Sequence, residues 1–426
     1  MSKQCITYKG GVLMIDKMIE LIKSEMQPSL GCTEPVAIGL AVSRTCQYLQ
    51  KPATKLEMHI SSNIFKNAYS VTIPNAGKPG IQLACALGFL LSKPDNTMEI
   101  FSSVTSELVK EAEKLVEDGF VEIHIISSSQ FYIEVYALND KEKAHTITVD
   151  KHDNLVKAEK DGVVLLDNMK QTNQEQTVAG FDITKYTFED FIRIAETVEI
   201  EKLQFIKEAV EMNLHISEVG MKQKYALGIG PALNGMMINK KLSNDLVTTV
   251  KSVVSAACDF RMSGGNGSVM TFLGSGNQGL EATLPIAVTA KYLNLSEEKM
   301  LRAEMLGLMI TIYIKYHVGR LSPICGATLS GAGSSAGITW LLGGSKEAIC
   351  GAVQNMLGCL AGMLCDGAKG GCALKLSTSA GEAVYSALYA LDNSIIQPTD
   401  GIISQSVEDT VKNVATLSLE GMAEVD

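Results

Sequence analysis

Between residues 319 and 371, thirteen of 53 positions are glycine. Glycine inside a helix costs ~1 kcal/mol against alanine. A run this rich survives in a helical region only where backbones touch or where a loop wraps a ligand. The same region holds two stretches without charge, 321–345 and 348–365. A membrane span needs ~20 mostly apolar residues. Pro323 and repeated Gly, Ser and Thr interrupt the first stretch, and Gln354 and Asn355 the second, so both read as buried helices of a large core.

Elsewhere the periodicity divides the chain. Ile15, Met18, Ile19, Ile22 and Met26 fall at helical spacing, which predicts an amphipathic helix over 12–26. Pro28 and Gly31 break it, and a second helix is predicted from Thr33 to about residue 49, with Thr33 as cap and Pro35 in the first turn. Residues 55–61, 68–73, 121–126, 131–136 and 145–149 alternate apolar and polar side chains and read as strands. Helices are predicted between them at 80–91 and 103–117. The polar segment 167–176 reads as a loop or linker. From about residue 187 onward the spacing is helical. The predicted fold class is α+β: a mainly helical domain, 1–53 and 177–426, with a smaller strand-containing α+β unit inserted at 54–176. Ahead of the linker, the α+β unit itself is placed at roughly 54–165.

With 426 residues the chain has room for a sizeable core. Its 37 basic and 47 acidic residues give a net charge of −10. No cluster of Lys or Arg offsets this, so nothing would neutralise phosphates and a nucleic-acid partner is excluded. Charges from Lys3 to Lys23 leave no uninterrupted apolar h-region. We therefore expect no signal peptide and no membrane association, and a cytoplasmic protein. A homodimer is the expectation for a chain of this size.

Ten cysteines in such a chain are expected as thiols, because the cytosol keeps them reduced. Cys46, Cys85, Cys258, Cys350 and Cys359 have apolar neighbours and read as core residues; Cys5 falls in the N-terminal tail. The other four stand beside helix-breaking Gly or Pro, in PSLGCTEP (Cys32), SPICGATLSGAGSSAG (Cys325) and CDGAKGGCALK (Cys365, Cys372). The last has the spacing C-x₆-C, unlike the CxxC of a redox dithiol or a paired zinc site. By spacing alone, a metal or iron–sulfur site, a zinc site and unrelated core thiols all stay open.

The motifs PSLGCTEPVAIGLA, SGGNGSV, SPICGATLSGAGSSAGITWLLGG and CDGAKGGCALK resemble those of the L-cysteine desulfidase family, related to the alpha part of the iron–sulfur L-serine dehydratases. The resemblance runs from residue 28 to 375. It implies pyridoxal-independent β-elimination of an amino acid, L-cysteine giving sulfide, ammonia and pyruvate through 2-aminoacrylate. It also implies an oxygen-labile 4Fe–4S cluster on Cys325, Cys365 and Cys372, with Cys32 as the base. L-serine by the same chemistry, or a non-catalytic iron–sulfur redox or oxygen sensor, are the alternatives. Three thiolates leave one iron open as a Lewis acid. Cys32 precedes a helix N-terminus, whose partial positive charge predicts a lowered thiol pKa; Glu34 would oppose this if close.

Weaker candidates surround these. Asn63, Lys66 and Asn67 fall between two predicted strands, where Lys66 could pair with a substrate carboxylate; an ordinary hairpin turn explains them equally. Gly265 and Asn266, in RMSGGNGSV, match neither GxGxxG nor GxxxxGKS, and are read as donors to a carboxylate rather than a nucleotide. Ser334 and Ser335 follow Gly333 and are read as a helix start facing an anion, or as plain caps. Lys369 either balances cluster charge or is solvated. His317 reads as structural, and no His pair has the HExxH spacing.

Overall fold

The computed structural model describes residues 2–92, 94–128, 130–169, 181–319 and 322–422. A six-stranded mixed sheet forms the middle of the chain. Its strands are β2 (Lys55–Ser61), β3 (Val121–Ile126), β4 (Tyr132–Leu138), β5 (Lys143–Val149), β6 (Leu155–Lys160) and β7 (Val163–Asp167), in the order β3-β2-β4-β5-β6-β7. β2 and β3 run parallel, and the other neighbours run antiparallel. Period-two alternation sends Leu56, Met58, Ile60, Ile133, Val135 and Ala137 to one face, buried under helices Thr33–Cys46, Ile81–Leu91 and Ser106–Glu117. The other face carries Glu57, His59, Glu122, His124, Glu134, Tyr136, His145 and Glu159.

Before the sheet, β1 (Met26–Leu30) pairs antiparallel with β8 (Ser268–Phe272). The predicted first helix occupies Ser2–Glu25 instead of ending at 26, because Met26 is drawn into this ribbon, and residue 5 lies on helix rather than tail. Helix Thr33–Cys46, which the sequence division groups with the helical part, buries Val36, Ile38, Leu40 and Val42 in the core of the sheet. Segment 68–73 is not a strand. Ser62–Ala68 is a helix with Ile64 and Ala68 buried one turn apart, and beyond it only Thr72 forms an isolated bridge, to Pro79. Val71 and Ile73 are buried in two different cores, so this stretch crosses between cores rather than joining a sheet edge. β6 and β7 lie where no strand is predicted. Of the predicted linker, residues 170–176 lie outside the described residues, as does the unit's boundary at 176.

The helical part is built on Gln204–Met221, Leu246–Met262, Gly276–Tyr292, Glu297–Val318, Gly326–Leu341, Lys346–Leu360 and Cys372–Leu391, joined through extensive apolar cores. The glycine density has its reason here. A Cβ on Gly333 would sit 2.3 Å from Gly307 O and 2.1 Å from Thr311 Oγ1, so helices Glu297–Val318 and Gly326–Leu341 meet backbone to backbone. Among the described residues, no helix is long and apolar enough to cross a membrane.

On the polar face of the sheet His145 bridges Glu134 (2.8 Å) and Glu159 (3.0 Å). Bonding to His145, then to Tyr136 and Tyr132, lowers Glu134 to about 2 against the cost of burial. Burial lowers His145, but bonds to Glu134 and Glu159 outweigh it and the imidazole is raised above 6.5. The depressed carboxylate stabilises the fold above its ordinary 4.5 and loses that contribution as pH falls towards 2. The raised imidazole stabilises below 6.5 and loses its contribution as pH rises through the folded value. The pair is therefore worth most between about 4.5 and 6.5. Urea unfolding at three pH values is expected to give His145→Gln a loss of about 1.5–3 kcal/mol near pH 5.5, the range for bonds to charged groups, shrinking at pH 2.5 and at pH 9. A separate series should find Gly333→Ala destabilised by about 1–3 kcal/mol through overpacking.

Candidate active site

The backbone gathers the cysteines. Ile324 and Leu364 form an antiparallel bridge. Cys325 N–H donates to Met363 O at 2.8 Å, and Cys365 N–H donates to Pro323 O at 2.7 Å. Cys325 thus caps helix Gly326–Leu341 right beside Cys365. Cys372 opens helix Cys372–Leu391, its Sγ 3.7 Å from Gly367 O. The thiols act on one another. Burial, then the charges of Cys365 and Cys372, push Cys325 up to about 12, and burial with Cys365 nearby raises Cys372. The structure brings Cys325, Cys365 and Cys372 together. Their sulfurs do not all lie within 4.8 Å of one another, so the set is wider than a single-ion site. A cluster spreads its thiolates over several irons, and the three thiols fit that donor set.

The 365–372 loop rests on the helix that carries the candidate substrate residues. Gly367 has φ +94, and a Cβ there would meet Lys66 O at 2.4 Å. Asp366 accepts from both Lys369 and Lys375, and Lys375 Nζ also donates to Leu364 O at 2.7 Å. Lys369 is therefore paired. Lys375 is the cation whose field reaches Cys325 and Cys372.

Above the loop lies a cavity of about 100 Å³, lined by Cys365, Glu34, Asn63, Lys66, Asn67 and Gln278 among others. Drug-sized ligands take ~300–1,000 Å³, so this cavity suits a small metabolite. Asn63, Lys66 and Asn67 reach it from helix Ser62–Ala68, not from a hairpin turn. Gln278 is 5% exposed, and its Oε1 has no hydrogen-bond partner among the described residues. An unpaired buried acceptor in a cavity wall is costly unless a ligand donor meets it.

Cys32 is the N-cap residue of helix Thr33–Cys46 and is 1% exposed. Its thiol donates to Glu34 Oε2 at 3.1 Å, and Asn67 Nδ2 donates to Glu34 Oε1 at 3.1 Å. Glu34, not Cys32, faces the cavity. The expected lowering of the Cys32 pKa is reversed. Burial, then the Glu34 charge, hold the thiol well above its ordinary value, with Arg261 opposing. The helix N-terminus does not outweigh a carboxylate in contact. Burial pushes Glu34 up as well, but His152, the Cys32 thiol, Arg261 and Thr33 leave its carboxyl below the usual range. At rest the proton sits on sulfur and the charge on Glu34.

Arg261 is 2% exposed and donates to Asn277 Oδ1 at 2.9 Å. Its charge acts on Cys32, Glu34, Cys258 and Cys372. It is the leading residue of RMSGGNGSV, a motif whose glycines draw the eye instead. Cys258, one turn earlier on the same helix, is fully buried in the core as expected, and also feels Cys372 and Cys325.

Other candidates fall elsewhere. Gly265 and Asn266 lie in the turn before β8 and do not line the cavity; the space beside Gly265 is filled by the Phe260 ring. Ser334 and Ser335 lie in the middle of helix Gly326–Leu341, fully buried, donating to Glu281 O and Ala332 O. They start no helix, because Cys325 caps it. His317 Nδ1 bonds Tyr313 O at 2.9 Å within its own helix. Glu34, Gln278, His152 and Lys315 line the cavity, and Arg261 acts on Cys32 and Glu34; of these, the sequence marks only Glu34, two residues from Cys32 in CTEP.

Residues 95–426 match the family described as "Serine dehydratase alpha chain". A UPF0597 protein of Clostridium botulinum (strain Okra / Type B1) is 37% identical over 413 residues, covering 96% of this chain and 95% of the relative. A UPF0597 protein of Bacteroides fragilis is 37% identical over 412 residues, covering 96% of each chain. A third, from Caldanaerobacter subterraneus subsp. tengcongensis, is 37% identical over 411 residues with the same coverage. The chain belongs to the serine dehydratase alpha chain family, and its role is serine dehydratase-like, of the lyase type. Cys32, Asn63, Lys66 and Asn67 precede the family match, and their segment is shared with the UPF0597 relatives.

The contact between loop and helix is testable. Gly367→Ala should lower stability by about 1–3 kcal/mol and speed alkylation of Cys365 by iodoacetamide, read by peptide mass spectrometry.

Proposed function

We propose that the chain is an iron–sulfur-dependent lyase that eliminates sulfide from L-cysteine. One observation carries the reading: a Cys365 thiol, the Lys66 ammonium and a Glu34 carboxylate bonded to Cys32 share one small cavity. Cys325, Cys365 and Cys372 would hold a 4Fe–4S cluster. When bound, its open iron supplies Lewis acidity towards a carboxylate or leaving group. No pyridoxal is required. The reduced thiols this needs belong to a cytoplasmic setting.

The protein's own groups do the rest. Lys66 offers its ammonium to the substrate carboxylate, with Asn63 and Asn67 beside it. Gln278 Oε1 and Glu34 accept from the substrate ammonium. That ammonium cancels the Glu34 charge, the second cause holding the proton on Cys32, and so lowers the thiol pKa when substrate is present. Glu34 Oε2, 3.1 Å away, is the first acceptor for the thiol proton. Cys32 Sγ, released from Glu34, then turns into the cavity that Glu34 lines and takes the α-proton. The Cα–H pair forms the double bond, the Cβ–S pair leaves with sulfur, and the 2-aminoacrylate released hydrolyses to pyruvate and ammonia.

The family description favours L-serine as the alternative substrate, with hydroxide leaving. Anaerobically reconstituted protein should release sulfide and pyruvate from L-cysteine faster than pyruvate from L-serine; the reverse order assigns the dehydratase. Cys32→Ala should keep the brown absorbance and lose at least ~100-fold in turnover, the scale of a general base. Cys325→Ala, Cys365→Ala or Cys372→Ala should lose absorbance and activity together. Full turnover by Cys32→Ala with its cluster present would overturn the mechanism.

A further inference from the structure

On the uncovered face of the sheet, far in function from the cysteine site, three metal-ligating side chains meet. β2 and β3 run parallel in a register that sets His59 opposite His124 and Glu57 opposite Glu122. Neighbouring strands lie ~4.8 Å apart, so equal register and equal face bring the two imidazoles together. Their rings stack with centroids 4.7 Å apart and planes 27° apart. Both Nε2 atoms turn towards the same oxygen, Glu57 Oε1, at 2.8 Å from His59 and 3.7 Å from His124. The three ligand atoms lie within 4.8 Å of one another, and among the described residues this is the one such group. All three side chains are partly open to solvent, between 28% and 41% exposed.

We propose that Glu57, His59 and His124 form a binding site for a divalent transition cation of the zinc class. Two imidazoles and a carboxylate are the donor set such ions prefer over magnesium or calcium. Three protein ligands and an open side match a tetrahedral site completed by water. A cation satisfies both imidazole nitrogens and the shared oxygen at once. Without it, His59 Nε2 bonds Glu57 Oε1 at 2.8 Å and His124 Nε2 lies nearest Glu122 Oε1 at 3.2 Å. Glu122 holds the position behind. Its Oε1 is 3.2 Å from His124 Nε2, a contact the cation would replace, and its Oε2 is bound to Lys55 at 2.7 Å, so it adds negative charge beside the triad. The site stands on the face opposite helix Thr33–Cys46, whose start carries Cys32. Occupancy is thus independent of the lyase reading.

The test is equilibrium dialysis of tag-free, anaerobically prepared protein against Zn²⁺, with bound metal measured by mass spectrometry. The wild type should bind one equivalent more than the double variant His59→Gln/His124→Gln, whose fold is checked by circular dichroism. Glu57→Gln should weaken that equivalent by at least ~10-fold. His145→Gln, altered on the same face but outside the triad, should keep it. Equal stoichiometry and affinity in wild type and double variant would overturn the site, as would loss of the equivalent in His145→Gln. Zinc held by thiols is common to all these proteins and cancels in the comparison.

Discussion

Two backbone hydrogen bonds across the Ile324–Leu364 bridge hold the candidate active site in place. They tie the start of one glycine-rich helix to the loop before another. Cys325 and Cys365, forty residues apart in the chain, become neighbours as a result. The loop then needs a seat, and Gly367 provides it by letting Lys66 O approach closer than any side chain allows. The Cys365 thiol and the amides of helix Ser62–Ala68 share a cavity beside that contact. Backbone bonds suit the task, because they set position without spending the side chains that chemistry requires.

Around Cys32 the charges of Arg261 and Glu34 oppose each other. Arg261 favours negative charge on Cys32, Glu34 and Cys372 together, linking the Cys32–Glu34 pair to the thiol group. Glu34 does the opposite to Cys32. A thiol held protonated at rest is protected from alkylation and oxidation, since the thiolate is the reactive form. A ligand ammonium that offsets Glu34 would release it. On the proposed reaction, the resting and substrate-bound states differ in the charge balance around Cys32.

The inserted sheet serves two surfaces. Its buried face supports helix Thr33–Cys46 and through it the position of Cys32. Its open face concentrates Glu, His and Tyr side chains in register, and pairs them internally around His145. Where His145 is buried and Glu134 partly buried on that face, their bond to each other offsets the cost of desolvation.

Much of this was legible in the sequence. Alternation located β2 and β3 to the residue, because each buries one face only, and helical spacing found the large bundle. Gly and Pro beside Cys32, Cys325, Cys365 and Cys372 marked the cysteines that lie at helix starts and loops, since a helix cannot continue through such residues. Tertiary structure alone decided the rest. Residues 68–73 alternate like a strand, yet Val71 and Ile73 enter different cores. Ser334 and Ser335 look like a helix start, yet lie eight or more residues inside one. The field at Cys32 depends on where Glu34 and Arg261 point, and that at Glu34 on His152 as well, groups from three separated segments. Local pattern determines which residues form an element and which face they bury, because propensity and periodicity act over a few residues. Charge and close approach act through space, so the state of a buried thiol and the partner of a glycine were fixed only when the chain folded.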